Sequence, residues 1–212
     1  MRHPALAFAL LPFLVAGCAD TSRSRNTADP RISAITIAQQ VCSNCHGVNG
    51  ISISPNFPIL AAQTPTYLLN QLMAFKSHGR EDPAGFEYMW GLSRSLSDEQ
   101  MRGLADYFGA QGPAPTRGAP RGSDPTRGEG IYRAGLPDQG VPACAACHGD
   151  KGQGNDSFPR LAGQHSDYLI KQLTVFQQTD QRPAGVAMKA VTHDLRPADM
   201  RDVAAFLQAA GH

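Results

Sequence analysis

Two copies of Cys-x-x-Cys-His constrain this chain more than any other feature: Cys42-Ser43-Asn44-Cys45-His46 and Cys144-Ala145-Ala146-Cys147-His148, followed by Gly47 and Gly149. Cysteines three positions apart on one helical turn project toward the same side, and the next residue swings its imidazole beneath whatever the thiols hold. This is the attachment signature of c-type haem, in which two thiols add across the porphyrin vinyl groups and the histidine reaches the iron. Two motifs imply two haem c groups, carried by Cys42, Cys45, Cys144 and Cys147, with His46 and His148 as iron ligands. The blander readings are a thioredoxin-like dithiol, which does not need the histidine, and a structural zinc on four thiolates.

The chain has 212 residues and its motifs lie 102 positions apart, Cys42 to Cys144, so each half has the size of one small haem domain. Such a domain buries little core alone; a covalent haem supplies apolar surface and a staple, and the apo chain is expected to fold poorly. At the N-terminus, Arg2 precedes an apolar run from Ala5 to Ala16 that is too short to span a bilayer as a mature helix. The run ends in Val15-Ala16-Gly17-Cys18, which resembles the lipobox of bacterial lipoproteins. Residues 1–17 therefore read as a signal peptide, with Cys18 as the lipidated residue. Of five cysteines, four serve haem, and lipidation accounts for the fifth. Residues 18–30 read as a polar tether, and residues 111–125, with Pro113, Pro115, Pro120 and Pro125, as a linker between domains at 31–110 and 126–212.

Comparing the halves separates shared architecture from local accident. Pro58, Leu60, Ala61, Gln63, Tyr67, Gln71, Leu72 and Phe75 recur 101 positions later as Pro159, Leu161, Ala162, Gln164, Tyr168, Gln172, Leu173 and Phe176. A duplicated all-α domain follows. The spacing predicts one helix through Tyr67–Phe75 and its counterpart Tyr168–Phe176, and a later helix over Asp98–Ala110 and Pro197–Ala209. Helices near Ala34–Val41 and Thr126–Ala134 should lead into the motifs.

An open sixth iron position binds small molecules, whereas a filled one only passes electrons. Met89 and Met188 follow Pro83-Ala84-Gly85 and Pro183-Ala184-Gly185 and are read as loop residues able to aim a thioether at each iron. Met101 and Met200 also match, but Met101, Leu104, Ala105 and Phe108 make a helical stripe that reads as core. Met73 corresponds to Thr174. Among rival histidines, His78 and His165 match threonines in the other half, and His193 lies near Met188.

With these residues in view, the chain resembles the cytochrome c4 family, built from two class I cytochrome c domains. Pro142 to Gly149, Pro159-Arg160-Leu161-Ala162-Gly163-Gln164 and Tyr168 to Phe176 carry the likeness. The resemblance implies that the carbonyls of Pro58 and Pro159 bond the second nitrogen of each haem histidine. It also implies that the domains pack about a pseudo-twofold axis with the haem propionates close together. The first half departs from the pattern, with Ala61-Ala62-Gln63 for Ala162-Gly163-Gln164 and Ile51-Ser52-Ile53 for Gly152-Gln153-Gly154.

Residues 31–110 carry 5 basic and 6 acidic residues, and residues 124–212 carry 9 and 10. Near-neutral domains give no support for nucleic-acid binding or strong electrostatic steering. The expected function is single-electron transport by a non-enzymatic dihaem carrier in the periplasm, held to a membrane by its lipid. Donors would be a quinol-oxidising complex or a dehydrogenase, and acceptors a terminal oxidase or reductase. The alternatives are a dihaem peroxidase or thiosulfate-oxidising enzyme, and a dedicated cytochrome subunit of a dehydrogenase.

Overall fold

The computed structural model describes residues 24–83 and 85–210; the expected signal peptide and Cys18 lie outside the described residues. The described chain is helical, with two isolated bridges, Leu136 to Val141 and Asn155 to Phe158, as its only β pairing.

In the first half, α1 (Ala34–Ile37) runs through a π-helical turn (Ala38–Cys42) into α2 (Ser43–His46). Then come α3 (Pro65–Lys76), α4 (Gly85–Ser93) and α5 (Asp98–Gly109). The second half repeats the order with α6 (Pro125–Ala134), α7 (Ala145–His148), α8 (Ser166–Gln178), α9 (Val186–Thr192) and α10 (Pro197–Ala209). The entries into the two motifs differ. Helix runs unbroken into Cys42, whereas α6 stops at Ala134 and a loop with a short turn at Pro137–Gln139 intervenes before Cys144.

Helix starts follow local chemistry. Thr64 caps α3 ahead of Pro65, Asp124 caps α6 ahead of Pro125, and Ser97 with Gln100 forms a reciprocal capping box on α5. Each half has its own core. Ile37, Leu68, Leu96, Met101, Leu104 and Phe108 pack in the first; Ile131, Tyr132, Leu169, Leu195, Met200, Val203 and Leu207 pack in the second. Met101 and Met200 are thus core residues of α5 and α10. In the second half α6 crosses α10 at Gly128, where an added Cβ would stand 2.0 Å from the Asp202 carbonyl oxygen.

The connecting segments are more ordered than their composition implies. Asn26 to Ile32 forms successive turns, and Gln100 Nε2 donates to the carbonyls of Asp29 at 2.9 Å and Ile32 at 3.0 Å. Within the linker, Ala114 is buried with Ile59 and Ala61, Arg117 donates to Gly163 O at 2.7 Å, and Gln208 donates to Gly118 O at 2.8 Å.

Candidate functional site

Each motif ends where its histidine must turn inward. Gly47 and Gly149 sit at φ 77° and 82°, and a Cβ on Gly47 would lie 2.4 Å from the Ile51 carbonyl oxygen. A glycine at this position lets the chain reverse directly beneath the imidazole. His46 and His148 are buried, and Nδ1 of each donates to a proline carbonyl, Pro58 O at 2.8 Å and Pro159 O at 2.9 Å. Burial lowers both imidazoles below the usual histidine value, with the proline bond acting the other way. A neutral ring that donates from Nδ1 leaves the Nε2 lone pair free for a metal. Phe57 and Phe158 stand edge-on to the two rings at 6.1 and 6.3 Å.

One continuous cavity of about 860 Å³ is lined by both halves, including all four motif cysteines, His46, His148, Met89 and Met188. Its walls are largely apolar, as a porphyrin requires. Cys42, Cys45 and Cys144 are half-buried and Cys147 is exposed. Burial pushes the Cys42 thiol up to about 12 and the Cys144 thiol up to about 11. Among the described residues, no three His, Cys, Asp or Glu side chains converge in a manner that would hold a metal ion on their own.

Met89 and Met188 stand on short helices rather than in the loops that the sequence suggests. The helix that carries Met89, α4, begins at Gly85, and a 3-10 turn at Pro183–Gly185 leads into α9. The same fastening recurs one turn later, where Ser93 Oγ donates to Met89 O at 2.7 Å and Thr192 Oγ1 to Met188 O at 2.6 Å. Both hydroxyl residues are buried. The segment after each helix is held by matching residues of the preceding one, Lys76 Nζ to Leu96 O at 2.6 Å and Gln177 Nε2 to Leu195 O at 2.8 Å. A methionine so mounted has a fixed backbone on a rigid element. Met73, Met101, Met200, His78, His165 and His193 do not line the cavity.

Between the halves, repeated residues meet across the interface. Gln63 takes the Arg160 N–H on Oε1 at 2.6 Å and donates Nε2 to Arg160 O at 2.9 Å; Gln164 does the same to Ile59, at 2.9 Å and 2.9 Å. Because Gln63 and Gln164, and Ile59 and Arg160, are pairs 101 apart, this is one clasp used twice about a pseudo-twofold axis. Buried beside it, Arg80 lies over Phe75 at 4.5 Å and bonds Asp82 at 2.6 Å, Gln71 at 2.7 Å and Gln172 at 3.3 Å. Arg182 lies over Phe176 at 4.6 Å and bonds Gln172, Gln71 and Tyr67. Burial alone would raise Asp82, but its bonds to Arg80 hold it below the usual carboxylate range. Two guanidiniums against one carboxylate leave a net positive charge on the cavity wall, which suits a porphyrin bearing carboxylates.

A family model described as Cytochrome c matches residues 34–110 and 126–211. The chain is 38% identical over 180 residues to cytochrome c4 of Stutzerimonas stutzeri, covering 79% of this chain and 83% of that protein. This chain belongs to the cytochrome c4 family. A solved Acidithiobacillus ferrooxidans cytochrome c4, described as supporting a complex-induced tuning of electron transfer, matches with TM-score 0.74 and 39% identity, covering 79% of this chain and 98% of that one. A further relative, the thiosulfate dehydrogenase electron acceptor of Stutzerimonas stutzeri strain A1501, is 37% identical over 145 residues, 66% of this chain and 65% of that protein. The fold is accordingly two tandem cytochrome c domains that bind two haem c groups, in a family of electron-transfer proteins.

The sequence contained the clasp glutamines and Tyr67 and Tyr168 as repeated positions, but gave no role to them. Arg80 and Arg182 carry no such signal because they lie 102 positions apart while the helices before them match at 101, so the repeat sets Arg80 against Gln181 and Asp82 against Pro183.

Proposed function

We propose that this chain is a dihaem electron carrier of the periplasm whose two irons are both six-coordinate. One haem would be held by Cys42 and Cys45 with His46 and Met89 on its iron; the other by Cys144 and Cys147 with His148 and Met188. When bound, each haem supplies a one-electron ferric–ferrous couple. The polypeptide fixes the rest. Pro58 and Pro159 orient the histidines, Ser93 and Thr192 anchor the methionine helices, and a closed ligand set keeps reorganisation small. The carrying observation is the single cavity that brings both motifs and both repeated methionines together. Domains at 31–110 and 126–212, joined by 111–125, fit this reading. So does export with residues 1–17 as signal peptide and Cys18 as lipid anchor at the head of the 18–30 tether.

For partners we infer an electron donor of the quinol-oxidising or dehydrogenase kind, and a terminal oxidase or reductase as acceptor. The relative named as a thiosulfate dehydrogenase electron acceptor favours a dehydrogenase donor over a quinol complex. Carbon monoxide added to reduced, haem-loaded protein tests the ligation. Wild type should not bind it and should show the far-red methionine-to-iron band when oxidised. Met89→Ala and Met188→Ala should each open half of the haem. Carbon monoxide binding by wild type, or an inert Met188→Ala, would overturn the ligand assignment and bring forward an enzyme with an open iron.

A further inference from the structure

The duplication is broken at the start of α8. Thr64 caps α3 with its side chain, whereas His165, 101 positions on, makes no cap bond to its own helix, and the Ser166 N–H is taken by Gln208 Oε1 at 2.9 Å instead. The imidazole turns toward the other domain and is buried there. Its Nε2 meets Ser52 of the first half, 2.8 Å from Oγ and 3.1 Å from the carbonyl oxygen. Because Ser52 Oγ donates its own hydrogen to Phe57 O at 2.6 Å, both Ser52 oxygens are acceptors toward the ring, and Nε2 carries the hydrogen. On the opposite edge Nδ1 accepts from Arg117 Nη1 at 3.1 Å. The neutral ring is therefore satisfied on both nitrogens, by the first domain on one side and by the linker on the other.

A second proton has only Nδ1 to go to, and there it meets a guanidinium N–H. Donor would oppose donor, and cation would oppose cation, at 3.1 Å. Two charged groups act on the ring, Arg117 from the linker and Asp167 from the first turn of α8. Burial and Arg117 oppose the charged imidazole, the bond to Ser52 and Asp167 favour it, and the balance lies with the neutral form. Arg117 is the partner able to yield. Its Nη2 donates to Gly163 O at 2.7 Å, but its Nε is buried without a hydrogen-bond partner, so the guanidinium recovers hydration by leaving. The other fastenings of the linker are uncharged: Ala114 is buried with Ile59 and Ala61, and Gln208 holds Gly118 O at 2.8 Å.

We propose that His165 and Arg117 form a proton-operated catch on the linker, closed while the imidazole is neutral and released when it takes a second proton. The bond to Ser52 is kept in both states, because Nε2 holds its hydrogen throughout. Release frees Arg117 and uncovers Gly163 O, while Ala114 and Gly118 stay fastened, so acid loosens the junction between the domains without parting them. The folded ring is held below its ordinary value, so the closed state is undisturbed above the free-ring value of about 6.5, and opening becomes about tenfold more favourable for each pH unit below it, down to the folded value. The catch does not depend on the iron ligation proposed above.

Limited trypsin cleavage of haem-loaded protein tests it. Cutting after Arg117 requires that side chain to leave the interface, and Arg121, exposed in the same linker, serves as the internal reference for the protease's own response to pH. The ratio of initial cleavage at Arg117 to that at Arg121 should be flat above about pH 7 and should rise about tenfold per pH unit below about 6.5. His165→Gln, which cannot take the proton, should give a ratio that does not change with pH. NMR titration of the His165 ring in the reduced protein gives a second reading, in which Arg117→Met should raise its pKa by removing a like charge. A wild-type ratio constant from about pH 8 to about pH 5, the same rise in His165→Gln, or a His165 pKa unmoved by Arg117→Met would overturn the proposal.

Discussion

Replacing Gln164 by methionine asks how firmly the two domains are joined. The substitution keeps the length of the side chain and its packing but removes both hydrogen bonds to the main chain of Ile59, donor and acceptor each at 2.9 Å and both buried. Among the described residues the Ile59 N–H and carbonyl have no other backbone partner, so two backbone groups would be left unsatisfied. At about 1–3 kcal/mol for each buried unpaired group, the loss should be about 2–6 kcal/mol. It should fall on the interface, because the glutamine and the isoleucine belong to different domains. Guanidinium unfolding of haem-loaded protein, followed by circular dichroism and by haem absorbance, is the assay. Wild type should unfold in one transition on both probes, and Gln164→Met at a lower midpoint with the two probes separating as the domains uncouple. Gln63→Met should behave alike. A shift below about 0.5 kcal/mol, with the probes still coincident, would refute the reasoning that the clasp joins the domains.

His165 receives a hydrogen bond on Nδ1 from Arg117 at 3.1 Å, while Nε2 stands 2.8 Å from Ser52 Oγ and 3.1 Å from Ser52 O. Burial first, then Arg117, lowers its pKa, with Ser52 and the nearby Asp167 opposing. A depressed folded pKa contributes stability that is present above the unfolded value of about 6.5 and lost as pH falls through the folded value. His165→Gln should therefore flatten the fall in stability below about pH 6.5, measured as the denaturation midpoint against pH; an unchanged slope would contradict it. In α6, Gly128→Ala should destabilise by about 1–3 kcal/mol because its Cβ meets Asp202 O at 2.0 Å. Gly130→Ala, two residues on with nothing within 4 Å, should stabilise by up to about 1 kcal/mol. Equal melting temperatures for these two variants would show that α6 and α10 are not in close contact.

How much of this was legible in the chain depends on how local each feature is. The haem motifs and the core methionines are set by residues within one helix or one turn, so spacing alone exposes them, whereas the carbonyls of Pro58 and Pro159, 12 and 11 positions from their histidines, are expected only from the family resemblance. The methionine helices were not legible. Residues 85–93 mix Phe86, Met89, Trp90 and Leu92 with Glu87, Tyr88 and Gly91 over little more than two turns, too short a run for periodicity to separate a buried face from an exposed one. The arginine pair was hidden by the one-residue difference between the loops. The Pro and Gly of residues 111–125 read as a semi-extended connector, yet Ala114 and Arg117 are drawn onto the interface by partners almost 50 residues away or more, which no local pattern encodes.

The departures of the first half from the repeat find their reason at the same interface. Ser52 stands in the segment that replaces Gly152-Gln153-Gly154, and His165 stands where the first half has Thr64. Each is unmatched in its own half, and they bond one another, with Arg117 of the linker on the far side of the ring. The glutamine clasp preserves the twofold relation of the duplicated domains, and the Ser52, His165 and Arg117 contact breaks it on one side. Two identical domains could pair in either sense or with a second copy. A contact made of residues that each half lacks is satisfied only by the first half meeting the second with the linker between them. Where duplicated domains must act as a directed pair, residues that escape the repeat are the places to look for direction.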